Sequence, residues 1–170
     1  RRFRTLNVID EANREALVQP LSVDTARTAV AAGEVASVVR NIRRWCERAP
    51  ALMVTDEFDS KLMPTLRIAQ QLVPYPLVGV ISPWNFPFAL SFIDAVPALL
   101  AGCAVIVKPS EVTPRFAGPL REVIASVPGV AAVFDVVAGG RETGAALIGQ
   151  VDAICFTGSV ATGRKVAVAA

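Results

Sequence analysis

Histidine is absent from this sequence of 170 residues, and its absence excludes several kinds of active site. A Ser-His-Asp triad, a Cys-His pair and the usual zinc sites all need an imidazole side chain. We therefore predict no metal site in this chain. The three cysteines, Cys46, Cys103 and Cys155, are scattered and form no CxxC pair. An odd number of scattered cysteines favours a reducing compartment over a disulfide framework.

Charged residues are also scarce. They make up 19% of the chain against 53% hydrophobic residues, and the mean hydropathy is +0.49, which leaves little polar surface for a free-standing domain. We expect part of the apolar surface to contact a partner subunit or a further part of the same polypeptide.

Long apolar runs are missing as well. The longest candidate, Ala95 to Val107, is shorter than the roughly 20 residues that span a membrane, and it contains Pro97. The N-terminal arginines are followed by no apolar segment of the kind found in secretion signals. We therefore predict a cytoplasmic protein with no membrane partner.

Blocks of basic residues interleaved with aromatic side chains, which binding of single-stranded nucleic acid needs, do not occur. The net charge is +2, and the largest internal cluster, Arg40, Arg43 and Arg44, falls in a helical pattern beside Glu47. A solvated helix face explains this cluster, so we predict no nucleic acid partner.

Residues 1–76 show a helical pattern followed by a proline-containing stretch. Apolar residues at helical spacing are Val35, Val38, Val39, Ile42 and Trp45. This spacing predicts one long amphipathic helix from Val23 to Arg48, with Ser22 or Asp24 at its N-cap and Pro50 beyond its end. The segment from Thr55 to Pro76 carries three prolines, which predicts a linker or an exposed arm, with a domain boundary before residue 77.

From residue 77 to residue 170, short apolar runs alternate with helix-like segments. The predicted strands are Leu77–Ile81, Ala104–Val107, Phe134–Val137 and Ala153–Phe156. The predicted helices are Phe88–Leu100, Arg115–Val127, Thr143–Gly149 and Ala161–Ala170. This alternation predicts an α/β fold: a Rossmann-like parallel sheet with right-handed crossovers and helices on both faces, preceded by the long N-terminal helix. Ligands of such sheets bind beyond the carboxyl ends of the strands.

Polar residues and glycines follow the four predicted strands. The segments are Ser82-Pro83-Trp84-Asn85-Phe86-Pro87, Lys108-Pro109-Ser110-Glu111, Ala138-Gly139-Gly140-Arg141-Glu142-Thr143-Gly144 and Thr157-Gly158-Ser159. A loop with glycine and a hydroxyl before a helix at Ala161 offers free N–H groups and a positive dipole end, which suit a phosphate. Lys108 and Glu111 could hold two ribose hydroxyls. The combination predicts a nucleotide site, although each feature alone is common in ordinary turns and surfaces.

Three of these motifs together resemble those of a known family. Pro83-Trp84-Asn85-Phe86-Pro87, the segment from Lys108 to Pro114, and Phe156-Thr157-Gly158-Ser159 followed by Gly163-Arg164 resemble successive signatures of the aldehyde dehydrogenase superfamily, in the same order and spacing. The resemblance is strong from residue 77 to residue 170 and only a pattern in the helical segment before it. It implies an NAD(P)-dependent enzyme that oxidises an aldehyde to a carboxylic acid and assembles as a homo-oligomer, a dimer or a tetramer.

The resemblance also implies roles for individual residues. Asn85 would donate its side-chain amide to the oxyanion that forms from the substrate carbonyl. Glu111 would accept hydrogen bonds from the ribose hydroxyls and repel a 2′-phosphate, which favours NAD as the cofactor while NADP stays possible. The residues expected to contact the cofactor are Ile81, Ser82, Pro83, Trp84, Lys108, Ser110, Glu111, Gly140, Gly144, Phe156, Thr157, Gly158, Ser159 and Thr162.

Two parts of the family's chemistry have no counterpart in this sequence. The glutamate that activates water would lie in a Glu-Leu-Gly-Gly segment shortly after Gly163, and the nucleophilic cysteine would lie in a catalytic domain further on; neither segment occurs here. We therefore interpret residues 77–170 as a partial nucleotide-binding domain of a longer enzyme and expect the 170-residue chain alone to be inactive. Asp94 stands where several relatives carry a proton-relay lysine, and we interpret it as a surface residue.

Two alternatives remain open. Gly158 to Gly163 has the G-x-x-x-x-G spacing of a P-loop, but Arg164 and Lys165 stand where a lysine and a magnesium-binding Ser or Thr are needed, which argues against an NTPase. A non-catalytic protein that keeps the fold for nucleotide binding or assembly is also compatible with these residues.

Overall fold

A computed structural model describes residues 11–170 of the chain. Residues 1–10 of the predicted N-terminal segment, which include its arginines, lie outside the described residues. The helices are α1 Glu11–Thr25, α2 Thr28–Leu52, α3 Pro87–Ala101, α4 Ala117–Ala125, α5 Pro128–Ala131, α6 Arg141–Ile148 and α7 Val160–Ala169. The strands are β1 Glu57–Asp59, β2 Arg67–Ala69, β3 Leu77–Ile81, β4 Ala104–Lys108, β5 Phe134–Val136 and β6 Ala153–Phe156.

The N-terminal part forms two helices where the pattern predicts one. Helices α1 and α2 are separated at Ala26, whose φ of 54° is a left-handed conformation that costs an alanine about 1–2 kcal/mol. Ser22 and Asp24 lie in the last turn of α1 rather than at an N-cap, and Pro50 lies inside the last turn of α2 rather than after it. The hydrophobic pattern does not reveal the break, because buried apolar residues occur on both sides of it.

Strands β3 to β6 form one parallel sheet in the order β5-β4-β3-β6. The chain runs outward from β3 through β4 to β5 and then returns across the sheet to pair β6 with the other side of β3. With right-handed crossovers, this reversal places α3 and α4 on one face and α6 on the other. The predicted fold class is confirmed, and the strand order reverses between β3 and β6.

The predicted strand boundaries agree with the structure to within one residue. Lys108 is the last residue of β4, and Val137 follows β5. The predicted helix from Arg115 to Val127 is shorter, since α4 starts at Ala117, and the separate short helix α5 follows it. Continuous apolar runs mark fully buried strands well, whereas helix ends depend on local capping.

The core lies between the sheet and α3, with α2 packed on the outer side of α3. Four phenylalanines form its aromatic centre: Phe88 contacts Phe92 and Phe116 at ring-centroid distances of 4.7 and 5.8 Å, and Phe92 contacts Phe134 at 5.8 Å. Residues of α1 and α2 belong to the same buried cluster as the strands. The division of the chain before residue 77 stays a prediction.

Helix α3 ends in a glycine cap. Gly102 has φ of 102°, and its N–H donates to the Leu99 carbonyl, while the N–H of Cys103 donates to the Ala98 carbonyl. This pair of bonds is a Schellman motif, which needs a left-handed residue that glycine adopts without strain. The cap turns the chain sharply from α3 into β4.

Strands β1 and β2 form an exposed antiparallel hairpin in the segment that is predicted to be an arm or linker. All six of its strand residues are exposed. Among residues 11–170, no helix combines the length and the apolar character that crossing a membrane requires. The same residues contain no group of three or more His, Cys, Asp or Glu side chains arranged to hold a metal ion.

Candidate functional site

The parallel register brings the predicted site segments to one edge of the sheet. Ile81, the last residue of β3, pairs with Lys108 of β4 on one side and with Phe156 of β6 on the other. The loops that start at Ser82, Pro109 and Thr157 therefore leave the sheet side by side. These loops flank the reversal point of the strand order, where α/β sheets bind their ligands.

The loop after β3 is fixed from inside by two serines. The Ser82 and Ser91 hydroxyl oxygens are 2.7 Å apart, and Ser91 donates to the Pro87 carbonyl at 2.6 Å, so Ser82 donates to Ser91. Both serines are buried. The side chain of Ser82 is thus occupied within the protein, and only its position next to the site, not its hydroxyl, fits the predicted cofactor contact. Ser91 is not among the site residues predicted from the sequence.

Trp84 and Asn85 lie at the exposed tip of this loop. Trp84 is 58% exposed, which contradicts burial of this indole in a core. Pro83 before them is half-buried. No described residue hydrogen-bonds to the side-chain amide of Asn85, so its N–H donors are available to a ligand.

Glu34 in α2 caps the helix that follows the loop. Its carboxylate Oε1 accepts hydrogen bonds from the backbone N–H groups of Phe88 and Ala89, each at 2.8 Å. The N-cap residue of α3, Phe86, supplies no side-chain bond, so Glu34 acts in its place from 54 residues away. Burial raises the pKa of the Glu34 carboxyl, although these two bonds and the charge of Arg27 oppose the rise. Glu34 is not among the site residues predicted from the sequence.

Arg27, the residue directly before α2, contacts the same loop. Its guanidinium donates to the backbone carbonyl of Asn85 and lies over the ring of Phe86, 5.0 Å from the ring centroid. This residue was also missed. A charged residue on the buried stripe of a helix, as at Glu34, is a signal in the sequence, whereas nothing in the sequence marks Arg27.

The loop after β4 contains the predicted ribose-binding pair. The Nζ of Lys108 lies 3.1 Å from Oε2 of Glu111, with the lysine side chain 6% exposed and the glutamate side chain 60% exposed. The pKa of Glu111 is lowered by a hydrogen bond from its own backbone N–H and then by the Lys108 side chain. Ser110 is half-buried, and its hydroxyl accepts from the Val112 N–H at 3.3 Å. The two side chains thus form an ion pair at the sheet edge, and their role in holding the ribose stays a prediction.

Two contacts tie this loop to its surroundings. The Thr113 hydroxyl donates to the Trp84 carbonyl at 3.4 Å and so joins the loops after β3 and β4. Asp24 of α1 accepts from the Arg115 backbone N–H at 2.8 Å and from its guanidinium at 2.5 Å. The Asp24 side chain is 2% exposed, so this pair is shielded from water on the aspartate side.

The glycines after β5 differ in what surrounds them. A Cβ on Gly139, where φ is 159°, would lie 2.0 Å from the Thr143 hydroxyl oxygen and 2.7 Å from its Cβ. A Cβ on Gly140 would meet nothing within 4 Å, and one on Gly144 would lie 3.9 Å from Ile81. Packing within the described protein therefore requires glycine at Gly139, which is not among the predicted site residues, whereas the space at Gly140 is open to a ligand.

The loop after β6 caps α7, which begins at Val160, one residue before the predicted start. Ser159 is the N-cap residue, and its hydroxyl oxygen accepts from the Thr162 N–H at 3.2 Å. A Cβ on Gly158 would lie 2.6 Å from the ring of Phe156, and one on Gly163 would lie 3.3 Å away, so these glycines make room for that ring. The first backbone N–H groups of α7 are left for an anion.

The cysteines near the sheet are poor nucleophiles. Cys103 is buried, and burial, followed by the charge of Asp94, raises the pKa of the Cys155 thiol. Asp94 is half-buried rather than a surface residue, and burial raises its pKa. Cys103 therefore lacks the exposure, and Cys155 the lowered pKa, that a reactive cysteine needs.

Comparison with known proteins adds independent findings. Residues 2–170 match the model of the aldehyde dehydrogenase family. The chain is 36% identical to a Mycolicibacterium smegmatis protein that bears a provisional name as an NADP-dependent succinate-semialdehyde dehydrogenase, over 98% of the chain and 32% of that protein. It is 35% identical to human aldehyde dehydrogenase family 3 member B1, over 86% of the chain and 30% of that protein.

Solved structures give the same result. A provisionally named aldehyde dehydrogenase of Anabaena variabilis, PutA, matches with a TM-score of 0.94 and 51% identity over 99% of the chain and 36% of that structure. An NAD-dependent aldehyde dehydrogenase of Sinorhizobium meliloti matches with a TM-score of 0.85 and 28% identity over 99% of the chain and 34% of that structure. The chain spans about a third of the length of the curated relatives that it matches. It belongs to the aldehyde dehydrogenase family.

Proposed function

We propose that this chain supplies the nicotinamide-nucleotide site and an oxyanion-stabilising amide to an enzyme that oxidises an aldehyde to a carboxylic acid. The observation that carries the proposal is the meeting, at one edge of the sheet, of a free Asn85 amide, the Lys108–Glu111 pair and the N-terminus of α7. Each of the three suits a different part of the reacting complex: the substrate oxygen, the ribose and the diphosphate.

The residues present fit a dinucleotide. The exposed Glu111 carboxylate can accept from ribose hydroxyls, and the buried Lys108 ammonium holds that carboxylate at the sheet edge. The start of α7 offers backbone N–H donors to the diphosphate, and the open space at Gly140 lets a ligand approach the backbone. We propose that the remaining predicted residues also contact the cofactor directly. Two groups are excepted: the hydroxyl of Ser82, which bonds to Ser91, and the side of Gly144 that faces Ile81.

The proposed cofactor is NAD. Glu111 is ionised at neutral pH, since its pKa lies below the ordinary value of 4.5, and an ionised carboxylate repels a 2′-phosphate. The Mycolicibacterium smegmatis relative is named for NADP, so the preference is a property to be measured in this chain. The names of two relatives point to a succinate semialdehyde and to 4,4'-diapolycopene aldehyde, so the proposal extends to the aldehyde group and not to a particular substrate.

The chemistry divides between the cofactor and the protein. The nicotinamide, when bound, accepts the hydride that leaves the aldehyde carbon. Asn85 stabilises the negative charge that develops on the carbonyl oxygen when a nucleophile adds to that carbon. Cys103 and Cys155 do not supply the nucleophile, because both are shielded and the pKa of Cys155 is raised. We propose that it comes from the segment of the enzyme that corresponds to the rest of the relatives' length.

We also propose that the enzyme is a cytoplasmic homo-oligomer with residues 1–76 as a separate helical and arm segment. The β1–β2 hairpin and its flanks expose large apolar side chains: Phe58, Leu62, Met63, Leu66, Ile68, Leu72 and Val73. Such a surface suits contact with a second copy of the chain. Light scattering of the protein in solution measures the oligomeric state, and a monomer would contradict this part of the proposal.

Calorimetric titration with NAD and with NADP tests the nucleotide site. We expect NAD to bind more tightly than NADP, and we expect Glu111→Gln to weaken NAD binding about tenfold and to narrow the difference between the two. Glu122→Gln, at an exposed position on α4, is the matched control and should leave both affinities unchanged. Absence of binding by either nucleotide would overturn the proposal in favour of an assembly protein that keeps the fold.

A further inference from the structure

The junction between α1 and α2 lies against the loops that carry the site. Asp24, two residues before the break at Ala26, holds the Arg115 backbone and guanidinium of the loop after β4. Arg27, one residue after the break, holds the Asn85 carbonyl and the Phe86 ring of the loop after β3. Ala26, in its left-handed conformation, thus lies between Asp24 and Arg27, whose side chains contact neighbouring loops.

Helix α2 holds the loop after β3 at successive points. Arg27 contacts Asn85 and Phe86, and Glu34, two turns further along α2, binds the N–H groups of Phe88 and Ala89. Arg27 is the N-cap residue of α2, and its charge lies near enough to Glu34 to oppose the rise in the pKa of that carboxyl. The loop is thus attached to one rigid element on both sides of Pro87.

The contacts of Ser82 and of the Trp84 carbonyl hold the loop before Asn85 but do not involve the Asn85 carbonyl or its side chain. The side chains of Trp84, Asn85 and Phe86 are exposed, and Phe86 makes no capping bond with its side chain. A hydrogen bond to the Asn85 carbonyl fixes the plane of the peptide bond between Asn85 and Phe86. Fixing this plane restricts the ψ angle of Asn85 and with it the direction in which its side chain leaves the backbone.

We infer that Arg27 is a positioning residue that orients the amide of Asn85 for oxyanion stabilisation. The inference rests on the proposed function, because it gives Arg27 a role only if Asn85 acts on the substrate oxygen. Donors aimed at a developing charge contribute most when they are held in place before the reaction. Arg27 supplies this restraint from outside the sheet, through a contact 58 residues away in the sequence.

A double-mutant cycle tests the inference in the enzyme that contains this chain. The variants are Arg27→Met, Asn85→Ala and the two combined, with kcat and KM measured for aldehyde and for NAD. We expect Arg27→Met to lower kcat about tenfold with the KM for NAD unchanged, since a displaced donor is lost in part. In the Asn85→Ala background, Arg27→Met should change kcat less than about twofold, because the group on which it acts is gone. Arg27→Lys keeps a donor and a cation over Phe86 and should recover part of the loss.

The control is Arg121→Met, which removes an exposed ion pair with Asp135 at the opposite side of β4 and should leave kcat unchanged. Hydrogen exchange of the segment from residue 83 to residue 90 gives a second readout, and we expect faster exchange in Arg27→Met and not in Arg121→Met. If Arg27→Met lowers kcat equally in the presence and absence of Asn85, the positioning role is overturned while the proposed function stands. If Asn85→Ala leaves kcat unchanged, the proposed role of Asn85 fails, and the inference fails with it.

Discussion

The carboxylate of Glu34, in the second turn of α2, accepts a 2.8 Å hydrogen bond from the backbone N–H of Phe88 at the start of α3. The same oxygen also accepts from the next N–H along the helix. Glu34 is 5% exposed, so its contacts join two helices through a buried charge. Buried charges are costly unless they are hydrogen-bonded, and here the donors belong to the first turn of α3, directly after the loop that carries Asn85.

Removing this cap should destabilise the protein. Glu34→Ala leaves two buried N–H groups without a partner, and we expect a loss of about 1–3 kcal/mol in the free energy of unfolding. Glu34→Gln keeps an oxygen acceptor and should lose much less. Urea denaturation of the three proteins measures the difference, and equal stability of wild type and Glu34→Ala would contradict the capping role.

The pH dependence of stability should carry the signature of Glu34. Burial raises the pKa of its carboxyl above the ordinary value of 4.5, so between 4.5 and the raised pKa the folded state binds more protons than the unfolded state. The contribution of this group to stability is therefore largest below pH 4.5 and decreases as the pH rises through that window. The free energy of unfolding of wild type minus that of Glu34→Gln, measured at successive pH values, should fall with rising pH and then level off. A difference that grows with pH would mean that the hydrogen bonds outweigh burial.

Most of the sheet could be predicted from the sequence, because each buried parallel strand is a short apolar run that ends at glycine, proline or a polar residue. Once the strands are known to be parallel, the segments after Ile81, Lys108 and Phe156 must lie at one edge. The contacts of Arg27 and Glu34 could not be predicted in this way. They join residues more than 50 positions apart, and no local pattern specifies such pairs.

The break at Ala26 escaped prediction for a related reason. Alanine favours helices, and the apolar stripe continues on both sides of it. In the folded protein the residues on either side of the break, Asp24 and Arg27, contact the loops after β4 and β3. Tertiary contacts here outweigh a local propensity of about 1–2 kcal/mol.

Two neighbouring glycines should respond differently to substitution. Gly139→Ala places a methyl group 2.0 Å from the Thr143 hydroxyl oxygen, and we expect it to cost about 1–3 kcal/mol of stability. Gly140→Ala meets nothing within 4 Å and should change stability by less than about 0.5 kcal/mol. If a nucleotide packs against Gly140, the same variant should nevertheless weaken NAD binding. Thermal unfolding and NAD titration of both variants separate the two roles, and loss of stability in Gly140→Ala would show that its space is not open.

Ser159 should contribute to both the stability of α7 and the affinity for the nucleotide. Its hydroxyl oxygen accepts from the Thr162 N–H, and replacing such an N-cap by alanine typically costs about 1 kcal/mol. Ser159→Ala also leaves the start of the helix less ordered, so an anion bound there should be held more weakly. Ser159→Thr retains the oxygen and serves as the matched variant, with both properties close to those of wild type. If Ser159→Ala loses stability but binds NAD as tightly as wild type does, the diphosphate does not lie at the N-terminus of α7. The nucleotide would then have to bind in the opposite orientation, with its diphosphate on the other side of the point where the strand order reverses.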